Sequence, residues 1–357
     1  MRYQQQLKYI DAVARVGSIR RAAETLAITS TALNRRILAI EEDLGTPIFE
    51  RLSSGVRLSV AGELFIQHVR QQLSDMERVR SQIADLAGER RGHVSVMCGQ
   101  ALLQQFMPNM ISRYRADHPG VSFSALVAGR QDFADRLEDF SADLAIIFEP
   151  EASTNVHVLQ EIPQHIHAMM ACDHPLAQSK EVRLSDCAQF PMALPSQRAG
   201  VRHALTVAAA RRSLQLPVTV ESDSADFLVR YLHAEPAIAF QIPMAFCSVE
   251  AGSKLDEESG GGVMTKTRLI PNPGNAGSAA PQFGAANGFT PAQHAGICAV
   301  PVNLQDLPMG RLQVIQQRGR RLPVASARFG AFVSEGLEAL SGESPCQSPG
   351  ADPILTP

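Results

Sequence analysis

Residues 18–44 read SIRRAAETLAITSTALNRRILAIEEDL, and this stretch decides the fold of the first sixty residues. Ser18 can cap a short helix whose apolar face is Ala22, Ala23 and Leu26, after which Ala27-Ile28-Thr29 makes a turn. Thr29 or Ser30 then caps a second helix that aligns Leu33, Ile37, Ile40 and Leu44 on one side. Two short helices joined by a tight turn form a helix-turn-helix. Off the apolar face stand Ser30, Thr31, Asn34, Arg35 and Arg36, side-chain types that reach phosphates and base edges. The plainer reading is a polar face that only solvates an exposed helix. Arg36 could equally pair with Glu41.

Upstream, Leu7, Ile10, Val13 and Ala14 recur at helical spacing until Gly17 stops the helix. Downstream, Phe49-Glu50-Arg51 and Arg57-Leu58-Ser59 flank Ser53-Ser54-Gly55 as two short strands flank a turn. Such a wing places Arg51 and Arg57 to meet a nucleic-acid backbone or minor groove. From Gly62 a long helix carries Phe65, Val69, Leu73, Met76, Val79, Ile83 and Leu86. Their spacing averages the coiled-coil period, so this seam predicts dimerisation; the alternative is an amphipathic helix lying on its own domain.

Gly88-Glu89-Arg90-Arg91-Gly92 reads as a hinge, and beyond it strands and helices alternate. Strands are expected over 94–97, 121–127, 144–148, 166–171, 192–194, 218–221, 237–241, 297–302 and 311–316. Helices are expected over 102–115, 132–139, 201–214, 225–233 and 325–340. The alternation predicts a parallel sheet covered by helices. Residues 248–295 are rich in Gly, Ala, Asn and Pro, too poor in large apolar side chains to offset the entropy of ordering, and read as a flexible insertion. Residues 341–357 read as a loose tail.

A chain of 357 residues exceeds one ordinary domain, and 45% hydrophobic with 19% charged residues excludes disorder throughout. No apolar run is long enough for a membrane helix, and Met1 to Ala14 do not resemble a secretory signal, so the cytoplasm is the expected compartment. Residues 1–91 hold 14 Lys and Arg against 11 Asp and Glu, and the remainder 19 against 25. A basic head on an acidic body suits a nucleic-acid module joined to a domain with another task.

Cys98, Cys172, Cys187, Cys247, Cys298 and Cys346 form no CxxC pair and read as reduced thiols, with a redox sensor as the alternative. His157, His165, His167, Cys172 and His174 cluster in sequence, but a metal needs three or four converging ligands. The favoured reading is a strand with two exposed imidazoles, His165 and His167, followed by an Asp173-His174-Pro175 turn. No metal and no cofactor are expected. Nor is a nucleophile elbow, phosphate loop or zinc-hydrolase helix recognisable, so no catalytic residue is nominated.

Ser18-Ile19-Arg20-Arg21-Ala22-Ala23-Glu24, Ala32-Leu33-Asn34-Arg35-Arg36-Ile37, Glu41-Glu42-Asp43-Leu44-Gly45, Ile48-Phe49-Glu50-Arg51 and Ala61-Gly62 together resemble the LysR-type transcriptional regulator family. The resemblance extends over residues 3–246 and 296–340. It implies an α/β chain with an N-terminal all-α winged helix-turn-helix at 1–61, a linker and dimerisation helix with hinge at 62–91, and a two-lobed effector domain at 92–340 similar to periplasmic solute-binding proteins. Implied partners are double-stranded DNA, an unidentified small-molecule effector, a second copy or three further copies of the chain, and RNA polymerase. DNA contacts would fall on Ser30, Thr31, Asn34 and Arg35, less firmly on Arg36, with Arg51 and Arg57 in the wing. Ser30-Thr31 stand where the family usually has Gln-Pro, and Asn34 where Ser is usual, which bears on base preference rather than fold. The 248–295 segment has no counterpart in the family pattern.

Ligands in open α/β lobes bind at loops after strand C-termini. That rule nominates Gln100, Ala101, Leu102, Ser196, Gln197, Ser224 and Gln241 as effector contacts. Gln and Ser suit a carboxylate, an amide or a sugar equally, and in loops they also serve as caps. An enzyme or a small-molecule-binding protein built on the C-terminal domain is the competing class.

Overall fold

The computed structural model describes residues 2–86, 91–245 and 296–341. The head begins with α1 (Arg2–Val16), which buries Leu7, Ile10 and Val13. α2 (Ile19–Thr25) is capped by Ser18, whose hydroxyl accepts from the Arg21 amide. For α3 (Ser30–Leu44) the cap is Thr29, accepting from the Ala32 amide, which settles the choice between Thr29 and Ser30. Ala22, Ala23, Leu33, Ile37, Ile48 and Phe49 close the head's core. Leu44, expected on the apolar face, lies in the last turn of α3 and is 43% exposed.

β1 (Phe49–Leu52) and β2 (Gly55–Leu58) pair antiparallel with Phe49 opposite Leu58, forming the expected wing. α4 (Val60–Leu86) then runs the length of the linker. Its apolar seam is divided: Phe65, Val69 and Leu73 pack on the head, whereas Met76, Val79, Ile83 and Leu86 stand exposed.

Lobe I contains β3 (Gly92–Cys98), α5 (Gln100–Gln104), α6 (Phe106–Asp117), β4 (Val121–Val127), α7 (Phe133–Glu138), β5 (Leu144–Phe148) and β6 (Val156–Gln164). The single helix expected over 102–115 is broken at Gln105, whose φ of −130° is not helical. After lobe II the chain returns to lobe I with β12 (Gly310–Gln317) and α11 (Val324–Ser341). Sheet order is β4-β3-β5-β12-β6. The first three strands are parallel, but β12 runs antiparallel to both β5 and β6, so the sheet is mixed rather than parallel throughout. The reason is topological: β12 enters from the far lobe, not through a helical crossover.

Lobe II comprises β7 (His167–Ala171), α8 (Leu184–Cys187), β8 (Met192–Pro195), α9 (Gly200–Arg211), β9 (Val218–Ser222), α10 (Ala225–Ala234), β10 (Ala239–Gln241) and β11 (Ile297–Pro301). β7 lies between β10 and β11, antiparallel to both, while β8 and β9 are parallel. The expected insertion at 248–295, and the tail beyond Ser341, lie outside the described residues.

The cysteines correct the sequence reading. Cys172 and Cys298 form a disulfide across 126 residues, because β7 and β11 are neighbours and bring their Cα atoms to 5.0 Å. Cys98 and Cys187 are free and buried. The imidazoles also differ from expectation: His167 is buried and His165 half-buried, with His165 Nε2 against the Val302 carbonyl at 2.5 Å. The chain just past β11 supplies the Val302 carbonyl that the His165 ring meets, and the His167 ring lies 5.2 Å from the His165 ring, centroid to centroid.

Candidate functional site

Two sites emerge, one on the head and one between the lobes. On α3, Ser30, Thr31, Asn34 and Arg35 share a face by helical spacing; all but half-buried Asn34 are exposed. Asn34 Oδ1 accepts from Arg51 Nη2 at 2.9 Å, so the wing arginine fixes which edge of the amide faces outward. Arg57 is exposed and ion-paired to Glu50 at 2.7 Å. Arg36 departs from this group. Its guanidinium lies over the Tyr9 ring, 4.7 Å from the centroid, and points back toward α1. Glu41, its imagined partner, instead accepts from the Ile48 and Phe49 amides at 2.8 and 3.0 Å. Arg36 therefore supports the head rather than its outer face.

Between the lobes lies a cleft of about 310 Å³. Gln100, Ala101 and Leu102 line it from lobe I, and Ser196 and Gln241 from lobe II. Gln197 and Ser224, nominated with them, do not. Gln197 turns its amide oxygen to the Arg202 guanidinium at 3.1 and 3.3 Å, and Ser224 caps α10 by accepting from the Phe227 amide at 3.2 Å. Most of the wall is apolar, including Leu102, Val127, Ile147, Phe148, Val201 and Leu228.

Sequence reasoning missed the charged corner of this cleft. Arg130 and Arg198 line it where the lobes meet, and the Arg130 amide donates to the Arg198 carbonyl at 2.9 Å. Arg198 is also paired with Asp132 at 2.8 Å, which in turn accepts from the Gly129 amide at 2.7 Å. The Arg130 side chain is 13% exposed; its Nε donates to the Glu149 carbonyl at 3.0 Å, and its nearest carboxylate, Glu151, is 4.0 Å away. The same strand-end rule, applied to β4, would have found Arg130.

α9 begins at this corner. Its N-cap, Ala199, has no side chain to accept from the first helical amides, so they face the cleft without a protein cap. Gly200 makes the approach possible: a Cβ there would lie 1.9 Å from the Phe148 carbonyl oxygen. The helix start thus abuts the end of β5 and adds positive potential beside Arg130. On the opposite rim, the Ser196 hydroxyl donates to Asp223 in a short hydrogen bond.

A winged helix-turn-helix joined by a long helix to a two-lobed, clefted domain defines a ligand-responsive DNA-binding regulator. Residues 4–63 match the family model for bacterial regulatory helix-turn-helix proteins of the lysR family, and residues 87–251 match the LysR substrate binding domain. The chain belongs to the LysR-type transcriptional regulators, with a DNA-binding helix-turn-helix and an effector-binding domain. It is 23% identical over 222 residues to the HTH-type transcriptional activator CmpR of Synechocystis, covering 61% of this chain and 72% of that one. Over 197 residues it is 30% identical to a RuBisCO operon transcriptional regulator of Acidithiobacillus ferrooxidans, covering 55% of this chain and 63% of that one. Among solved structures, a full-length OxyR variant from Pseudomonas aeruginosa shares the fold at a TM-score of 0.60 and 15% identity, covering 94% of each chain. No helix among the described residues is long and apolar enough to cross a membrane.

Proposed function

We propose that this regulator responds to an organic anion with an apolar body, bound in the interlobe cleft, and transmits its occupancy to a head that grips double-stranded DNA. The observation that carries the effector reading is Arg130. A mostly shielded guanidinium and an uncapped helix start meet one corner of an otherwise apolar wall. A carboxylate would take the charged corner, Gln100, Ser196 and Gln241 would orient it, and the apolar remainder would fill the cleft. Because Arg130 and Arg198 come from opposite lobes, an anion between them favours the closed arrangement and shifts the population toward it.

On the head, Ser30, Thr31, Asn34 and Arg35 meet base edges and phosphates, and Arg51 and Arg57 serve the wing. The reading includes a homodimer or homotetramer built through α4, contact with RNA polymerase, a cytoplasmic location and no catalytic turnover. The relatives are transcriptional regulators, which supports the last point.

The test is thermal-shift and calorimetric titration of the full chain with a series of carboxylates of graded apolar length, beside sugar phosphates and neutral amides. Carboxylates with apolar bodies should bind, and Arg130→Gln should weaken them by about tenfold or more. Equal affinity for neutral analogues, or indifference to Arg130→Gln, would overturn the anion reading.

A further inference from the structure

The described cysteines divide into two chemically different pairs. Cys98 and Cys187 are buried, and burial pushes both thiols up, Cys187 to about 12, so neither supplies a thiolate near neutral pH. Cys172 is exposed and Cys298 half-buried, at the outer edge of lobe II. The backbone holds them together independently of their sulfurs. The Cys172 amide donates to the Gly296 carbonyl at 2.8 Å, and Ile297 to Pro301 pair with Ala171 to His167. Opening the S–S bond therefore leaves two thiols within reach of each other.

We infer that Cys172 and Cys298 form a reversible thiol–disulfide exchange site, open to low-molecular-weight thiols and disulfides, whose state tightens or loosens the strand supporting the cleft. A small thiolate attacks the exposed Cys172 sulfur, the S–S bond breaks, and Cys298 leaves as a thiolate that takes a proton. A second small thiolate then attacks the small-molecule sulfur of the mixed disulfide, that S–S bond breaks, and Cys172 leaves as a thiolate that takes a proton. Two small thiols are oxidised to one small disulfide, and the protein disulfide is reduced to two cysteine thiols. Oxidation by a small disulfide runs the same steps in reverse. The exposure of Cys172 at one end of the bond is what makes it exchangeable rather than a permanent staple.

The link to the cleft is β7. One edge of this strand carries β11 and the disulfide, while the other carries β10, whose Gln241 pairs with His167 and lines the cleft. The disulfide also closes a covalent loop that contains α8 through β10. Reduction removes that constraint from the strand on which Gln241 rests.

The experiment equilibrates the full chain in glutathione buffers from reducing to oxidising, traps thiols by alkylation, and identifies them by mass spectrometry. Cys172 and Cys298 should change together in one two-electron transition while Cys98 and Cys187 stay unlabelled in the native protein. Cys172→Ser should abolish the internal bond and leave Cys298 to form a mixed disulfide with glutathione. Hydrogen exchange should be faster over residues 167–171 and 239–241 in the reduced protein, and the Cys172→Ser, Cys298→Ser double variant should exchange at the reduced rate under every buffer. A bond that survives millimolar reduced glutathione, thiols that never pair under oxidised glutathione, or equal exchange at 239–241 in both states would each overturn the inference. None of these readouts depends on the effector being an anion.

Discussion

Arg320 and Asp143 form an ion pair inside lobe I, 2.5 Å from Nη2 to Oδ1, with both residues buried. Each remaining guanidinium nitrogen and the second carboxylate oxygen also has a partner. Arg320 Nη1 donates to the Ala142 carbonyl at 2.8 Å and its Nε to Ser74 of α4 at 3.1 Å, while Asp143 Oδ2 accepts from Ser326 at 2.8 Å and the Ser95 amide at 3.0 Å. Burial pulls the Arg320 guanidinium below its ordinary value, and Asp143 opposes that shift. The pair thus joins lobe I to the linker helix.

Removing one partner strands the other charge in the interior. Arg320→Ala or Asp143→Asn should lower stability by about 3–5 kcal/mol, whereas Ser74→Ala should cost about 1 kcal/mol. Urea unfolding would measure both. A loss below about 1 kcal/mol for Asp143→Asn would mean that water reaches the site.

The exposed half of the α4 seam is predicted to make the dimer. Ile83 is 61% exposed in the single chain, and Val79 is exposed beside it on the same seam. Val79→Glu with Ile83→Glu should yield folded monomers by sedimentation, because neither side chain belongs to the head's core. Leu73, on the same seam, packs against that core, so its substitution would also disturb the head. Oligomers that survive the double substitution would assign the contact to another face.

Adjacent arginines on α3 should fail in different ways. Arg35→Ala should weaken binding to an operator selected from random DNA by about 1–3 kcal/mol and leave melting unchanged. Arg36→Ala removes the stack on Tyr9 and should lower head stability by about 0.5–1 kcal/mol, with a smaller effect on DNA. Anisotropy titrations beside thermal melts distinguish them; the reverse pattern would mean that α3 is turned differently on the duplex.

Acid should destabilise lobe II through His167. Burial is the main cause that lowers its imidazole to about 4, with His165 adding repulsion and a hydrogen bond to the His165 carbonyl opposing both. Between the ordinary value near 6.5 and about 4, the unfolded chain binds a proton that the folded chain refuses. Stability therefore rises with pH through that window and is fully present above it, a span of about 3 kcal/mol. Urea midpoints at mildly acidic and neutral pH would measure the slope, and His167→Gln should flatten it. An unchanged slope would place the proton uptake elsewhere.

Local signals carried the elements whose identity is local. Val121–Val127, with Ser122 and Ser124 alternating among apolar residues, and the apolar run Leu144–Phe148 are bounded by Gly120 and Asp143, and both strands fall where the pattern puts them. β6 escaped because Val156–Gln164 mixes His, Gln, Glu and Pro among its apolar residues and buries few positions. The direction of β12 and the pairing of Cys172 with Cys298 depend on partners far along the chain, which no window contains. At the cleft, Gln100, Ser196 and Gln241 were legible from strand ends, but Ser224 and Gln197 were drawn into capping and pairing with Arg202. The stack of Arg36 on Tyr9 lay beyond any local window, because Tyr9 is on a different helix.

The chain leaves lobe I at Gln164 and re-enters it at Gly310, and these two residues face each other in the β6–β12 ladder. Gly310 sits against the Phe148 ring, where a Cβ would come within 2.1 Å, so entry and exit are pressed into one narrow ribbon. Lobe II is consequently a module spliced into a hairpin: its excision would leave two strand ends that a tight turn could reconnect, freeing Asp132 and the end of β5 from Arg198 and α9 but leaving the grip on Ser74 in place. A lineage could exchange the chemistry of half its sensor through that one gate without redrawing the machinery that holds DNA.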